Sequence, residues 1–190
     1  VTFLVQCERR CDESTAFPSA LRFIAQEAAT AVAIGELHPP RHAFEVNMDG
    51  ERLHLPDRVY YDRDLLRAEI SNSQGSAKLI RLCLGTRHYD GHLRQECLQG
   101  LLNNGIPWLI PYLLQLAGEY VVEIAEDVAN AIVGWDPGTL RAFAMENPRY
   151  LATLARRVTS YWNCYHRRAY PDRQGYPGAR VLAVVRAAMD

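Results

Sequence analysis

The chain has 190 residues, 48% of them hydrophobic and 23% charged, which is enough length and apolar content to bury a substantial core. A net charge of −1 excludes a broadly basic nucleic-acid coat and any global attraction to anionic membranes. Lys78 is the single lysine beside twenty arginines, a coding bias of GC-rich, bacterial type rather than the mark of a site.

The first 61 residues read as a helix followed by a β-hairpin, and residues 62–190 as a helical stack within the same single domain. The opening VTFLV lacks the basic flank and small-residue cleavage site of a secretory leader. Residues 16–34, AFPSALRFIAQEAATAVAI, predict a helix with Leu21, Ile24, Ala28, Ala31 and Val32 on one face and Ser19 as its cap, ended by Gly35 and Pro39-Pro40. In AFEVNMDGERLHLP, Asp49-Gly50 is a two-residue hairpin turn. Pairing outward from it matches Val46 with Leu53 and Phe44 with Leu55 on one face, Asn47 with Arg52 and Glu45 with His54 on the other. RVYY at 58–61 suggests a third short strand.

From residue 62 the apolar period is helical. Helices are expected over 62–71, 75–85, 91–103, 107–133 (one helix, or two broken at Gly118), 137–146, 148 to about 169, and 178–189. Connections are short, which favours antiparallel neighbours. The longest apolar stretch, PWLIPYLLQLAG, meets Glu119 and Glu123 too soon to span a bilayer. Five cysteines (Cys7, Cys11, Cys83, Cys97 and Cys164) form no secreted disulfide pattern and point to a reducing cytoplasm. The last three fall in predicted helices and read as small core residues.

In GTRHYDGHLRQECLQGLL, residues 85–102, Asp90 is placed to cap a helix whose buried stripe is Leu93, Cys97 and Leu101, while Arg94, Gln95 and Gln99 point elsewhere. YDGHLRQECLQGLL resembles the second helix of a HEAT-type repeat through Asp90, Leu93, Arg94, Cys97 and Leu101. A second, partial copy follows 28 residues later in EYVVEIAEDVANAI, where Val121, Ala125 and Ala129 take the apolar places and Val122 replaces the arginine. KLIRLCL and PWLIPYLLQLA would be the first helices of the two units. The resemblance covers about residues 75–133. It implies a HEAT-like stack, with a closed helical bundle as the alternative, in which Asp90 and Arg94 hold units together.

Several constellations bear on chemistry. Glu119, Glu123, Glu126 and Asp127 share one helical face with Asn130, opposite Leu113, Ala117, Tyr120, Ile124 and Val128, which predicts a solvated acidic face. The rival reading is an enzyme site assembled from Glu119, Glu123 and His88 or His92. A carboxylate-bridged dimetal centre would call for Glu-x-x-His pairs on helices, and that spacing occurs only at Glu51 and His54, in the hairpin. Cys7, Cys11, His38 and His42 have the residue types of a zinc site. However, 26 residues separate the two pairs, against about a dozen in a zinc finger. No nucleophile elbow, phosphate-binding glycine loop or dinucleotide fingerprint occurs, so no catalytic residue, metal or cofactor is assigned.

Charge is segregated. Residues 138–190 hold nine arginines against three acids, whereas residues 86–137 hold two arginines against seven acids. Within RRVTSYWNCYHRRAYPDRQGYPGAR, the stripe Leu151, Leu154, Val158, Tyr161 and Tyr165 is expected to be buried. Arg157, Trp162, Arg167 and Arg168 are the candidate binding residues. Arginine with exposed aromatics suits a protein partner or a homo-oligomer, or, as the alternative, nucleic acid. HEAT-like alkylpurine DNA glycosylases are the family precedent for that alternative. The expectation is a non-enzymatic interaction or scaffold module.

Overall fold

The computed structural model describes residues 12–190. Its architecture is mostly helical with a small N-terminal hairpin. The helices in chain order are α1 (Arg22–Ala33), α2 (Arg63–Ser71), α3 (Gly75–Gly85), α4 (Gly91–Gln99), α5 (Ile110–Ala117), α6 (Val122–Ile132), α7 (Pro137–Glu146), α8 (Pro148–Tyr161) and α9 (Pro177–Ala187). The hairpin strands β1 (Ala43–Met48) and β2 (Glu51–Pro56) stand between α1 and α2. A continuous hydrophobic cluster reaches from Ala16 to Val185. No described helix is long and apolar enough to cross a membrane.

The hairpin forms in the register the turn dictates: Val46 faces Leu53, Phe44 faces Leu55, Asn47 faces Arg52 and Glu45 faces His54. Asp49 and Gly50 both take positive φ, 51° and 78°, as a type I′ turn requires. Two strands alone are marginal in water, and this pair is anchored by an asparagine at the α7–α8 junction. Asn147 is buried; its Oδ1 accepts from Asn47 N–H at 2.7 Å and its Nδ2 donates to Asn47 O at 2.7 Å. One side-chain amide thus satisfies the edge-strand backbone as a third strand would.

The short 58–61 segment is not that third strand. Among the described residues Val59 makes only an isolated parallel bridge to His88, with its N–H on Arg87 O at 3.0 Å and its carbonyl accepting from Tyr89 N at 3.1 Å. The first helix is also shorter than its pattern predicts. Short 3-10 turns, Glu13–Ala16 and Ser19–Leu21, precede α1. Ser19 caps nothing; its N–H and hydroxyl instead meet the Glu51 carboxylate at 2.7 and 2.9 Å. Pro18, immediately before, fixes an extended geometry there.

Aspartates start several helices. Asp62, Asp90 and Asp136 each accept from backbone N–H groups in the first turn of α2, α4 and α7. The break in 107–133 spans residues 118–121, so α5 and α6 are separate helices. Gly178 admits close packing of α9 on the end of α5: a Cβ there would stand 2.6 Å from the backbone oxygen of Ala117. Beyond α8 the chain widens into a π-helical turn, Trp162–His166. That turn breaks the four-residue spacing, so Tyr165 leaves the predicted stripe and is 69% exposed. Cys164 is exposed as well, while Cys83 and Cys97 are buried as expected.

Candidate functional site

The residue that departs furthest from its expected place is Glu119. It lies in the α5–α6 break rather than on a helix, so the face drawn through Glu123, Glu126 and Asp127 does not include it. It is 1% exposed and is surrounded by arginines. Its Oε1 accepts from Arg87 Nη1 at 2.9 Å and from Arg58 Nη1 at 2.8 Å. Arg94 Nε stands 3.0 Å from Oε2 without the alignment of a hydrogen bond, so that contact is purely ionic. Burial pushes the Glu119 carboxyl up, but Arg87, Arg58 and Arg94 together pull it below its ordinary value, so it is ionised.

Each arginine also spends donors on backbone carbonyls. Arg87 is fully buried and donates to Pro56 O at 3.3 Å and Asp57 O at 2.8 Å. Burial lowers its affinity for protons, with Glu119 offsetting only part of that, yet a guanidinium remains charged. Arg94 donates to His88 O at 2.8 Å and Tyr89 O at 3.0 Å. The sequence pattern sets Arg94 off the buried stripe, and the structure corrects this: the side chain is 1% exposed. The network therefore joins the end of β2, the α3–α4 loop, α4 and the α5–α6 break at one carboxylate. Arg58, Arg87 and Arg94 escape sequence reasoning because they are distant in the chain. The available signal is the spacing of Arg94 to Leu98 and Leu101, which widens the α4 stripe to include the arginine.

The histidines of the same stretch separate. His88 is buried, and both ring nitrogens are committed: Nδ1 accepts from Asp90 N–H at 3.1 Å and Nε2 donates to Tyr61 O at 2.9 Å. Those partners select the neutral Nε2–H tautomer, and burial depresses the imidazole further, against the raising effect of Tyr61 O. His92 is exposed on α4. Of the other acids, Glu123 is exposed, Glu126 pairs with Arg180 at 2.6 Å and Asp127 accepts from Gln95 at 2.9 Å. The assembly of Glu119, Glu123 and His88 or His92 does not converge. Tyr120, expected in the core, is 53% exposed because it lies within the break and not on a helical face.

No group of three or more metal-binding side chains occurs among the described residues. Cys7 and Cys11 lie outside the described residues; His38 and His42 line one shallow groove with Arg41 and Arg58. Burial pushes the Cys97 thiol up to about 12 and the Cys83 thiol well above its ordinary range, so neither is a thiolate nucleophile at neutral pH.

The C-terminal binding candidates divide in two. Arg157 is half-buried; its Nε donates to Gly118 O at 3.3 Å and its Nη1 lies 3.9 Å from Asp57 Oδ1. Trp162 donates its indole N–H to Tyr170 O at 2.9 Å, which fixes the ring, and the Arg167 guanidinium sits over it at 5.7 Å. Arg167 and Arg168 are exposed beside Tyr165. Tyr165 lies in the π-helical turn and Arg167 and Arg168 follow it directly; the His166 side chain ties the turn to the α5–α6 break, its Nε2 2.9 Å from Tyr120 O. No family model, curated protein or solved structure matches the chain significantly.

Proposed function

We propose that the chain is a non-enzymatic interaction module that docks an acidic segment of a protein partner on Trp162, Tyr165, Arg167 and Arg168. The observation that carries this reading is the Arg167 guanidinium poised over a ring that Tyr170 O holds in place, with Arg168 and Tyr165 open to solvent beside it. A pre-positioned arginine and aromatic pair is the composition of an interface hot spot. The groups that would have supported catalysis are engaged elsewhere: Glu119 by arginines and His88 by backbone.

A partner other than a second copy is favoured by the acidic middle of the chain. Glu119 is buried, Asp90 is paired with Arg63, Glu96 with Arg67 and Glu126 with Arg180, Asp127 holds Gln95 and Asp136 holds Thr139. Among the described residues this leaves Glu123 as the exposed acid of that stretch without a side-chain partner to receive the basic segment of another copy. Nucleic acid is the second reading, since Tyr165 and the Trp162–Arg167 pair also suit base stacking and phosphate contact.

Fluorescence anisotropy with a labelled Glu/Asp-rich peptide containing one aromatic residue, and with a single-stranded oligonucleotide of equal charge, tests this. The expected result is saturable peptide binding that weakens with salt and falls about tenfold or more in Arg167→Gln/Arg168→Gln. Peptide binding unchanged in that variant contradicts the docking surface. An oligonucleotide preferred over the peptide at equal salt transfers the surface to the second reading.

A further inference from the structure

Arg58 belongs both to the Glu119 network and to a groove of about 320 Å³ lined by His38, Arg41, His42, Asp57, Arg58 and Tyr60. We infer that this groove binds a phosphate group, carried as inorganic phosphate or as a small phosphomonoester. The inference is independent of the C-terminal docking surface.

The lining is the first argument. Two guanidinium groups, two imidazoles and a phenol converge on one opening, a donor set matched to a tetrahedral oxyanion. Its one acid, Asp57, is already countered: its Oδ1 lies 3.9 Å from Arg157 Nη1 and 4.0 Å from Arg87 Nη2. A divalent cation is the wrong guest, because Arg41 and Arg58 stand beside the histidines and no cluster of three metal-binding side chains is present among the described residues.

The charge of the network behind the groove is the second argument. Among the described residues, Arg58, Arg87, Arg94 and Arg157 face two carboxylates, Glu119 and Asp57. Arg94 Nη2 is buried without a hydrogen-bond partner. A partly buried excess of cation is costly, and an anion entering beside Arg58 lowers that cost.

Preorganisation is the third. Glu119 Oε1 holds Arg58 Nη1 at 2.8 Å, and the same Nη1 donates to Asp57 O at 3.1 Å, so the guanidinium is fixed before a ligand arrives. Tyr60 is clamped between the His38 ring at 3.7 Å and the Tyr89 ring at 5.5 Å. The volume lies at the small end for ligand sites and admits a phosphate with a few attached carbons.

The test is calorimetric titration of the full chain with inorganic phosphate and with glycerol phosphate, chloride holding ionic strength constant, alongside NMR of the histidine rings. Expected is one-site saturation in which the His38 and His42 resonances move. Arg41→Gln/His42→Gln should weaken it about tenfold or more, as loss of charge-assisted hydrogen bonds does. Arg58→Lys, which keeps charge and loses the planar fork, should weaken it too, while Arg167→Gln/Arg168→Gln should leave it unchanged. Tighter glycerol phosphate identifies an organic phosphomonoester as the guest, and equal or tighter inorganic phosphate identifies the free anion; both support the site. Absence of saturation, or binding that survives Arg41→Gln/His42→Gln at full strength, overturns it. The Arg41 and His42 changes are at exposed positions, so the outcome does not depend on whether Arg58→Lys folds.

Discussion

Two arginine-rich regions of this molecule are built in opposite ways. Around Glu119, Arg58, Arg87 and Arg94 converge on one carboxylate and several backbone carbonyls. Around the π-helical turn, Arg167 lies over Trp162 and Arg168 is exposed. Residue type is the same in both; burial and the number of acceptors within reach differ. Where a guanidinium is enclosed, its cost of desolvation has to be met by carbonyls and a carboxylate, and it becomes part of the fold. Where it is solvated and only leans on a ring, it is available to a partner.

Substitutions should separate the two regions. Glu119→Gln leaves three arginines around a neutral amide and is expected to cost about 3–5 kcal/mol in urea unfolding, the penalty of breaking a buried ion pair from one side. A loss below about 1 kcal/mol would mean the cluster is solvated in solution. Asn147→Ala should cost about 1–3 kcal/mol by orphaning Asn47 N–H and unpinning the hairpin. Hydrogen exchange at Asn47 would then accelerate while the Glu119 region stays protected. Gly178→Ala tests a purely steric contact with Ala117 O and should cost about 1–3 kcal/mol. At the smallest end, Arg167→Gln/Arg168→Gln should change stability by about 1 kcal/mol at most, the value of an exposed cation–π contact.

Acid sharpens the same contrast. The Glu119 carboxyl is held below its ordinary value of 4.5 in the folded state, so the unfolded chain binds its proton more readily. Its contribution is complete above about pH 5 and is lost as pH falls through the depressed folded value. The wild-type protein should therefore lose stability toward low pH more steeply than Glu119→Gln does. Parallel pH profiles for the two would contradict an ionised Glu119.

Much of the architecture is legible from local pattern. The Asp49-Gly50 turn fixes the hairpin register, and Asp62, Asp90 and Asp136 mark helix starts because a carboxylate next to free N–H groups is a local interaction. Pattern fails where local spacing breaks. Glu119 follows Gly118 in the break after α5, so extending a helical face through it places an inward carboxylate in solvent. The π-helical turn likewise moves Tyr165 and Cys164 from core to surface. The arginines that meet Glu119 come from residues 58, 87 and 94, and no periodicity within one element reports a contact made across four. Arg157 resembles Arg167 and Arg168 in the sequence, yet its place within α8, ahead of the π-helical turn, sets it against Gly118 O and Asp57.

The claim that one set of arginines is structural and the other is free is tested most directly by a double-mutant cycle between Glu119 and Arg87, read by urea unfolding. Glu119→Gln, Arg87→Met and the double substitution should show a coupling of about 2 kcal/mol or more, since Glu119→Gln leaves the fully buried Arg87 charge without its carboxylate and Arg87→Met removes one of the two hydrogen bonds to Glu119. Additive effects of the two substitutions would contradict the account.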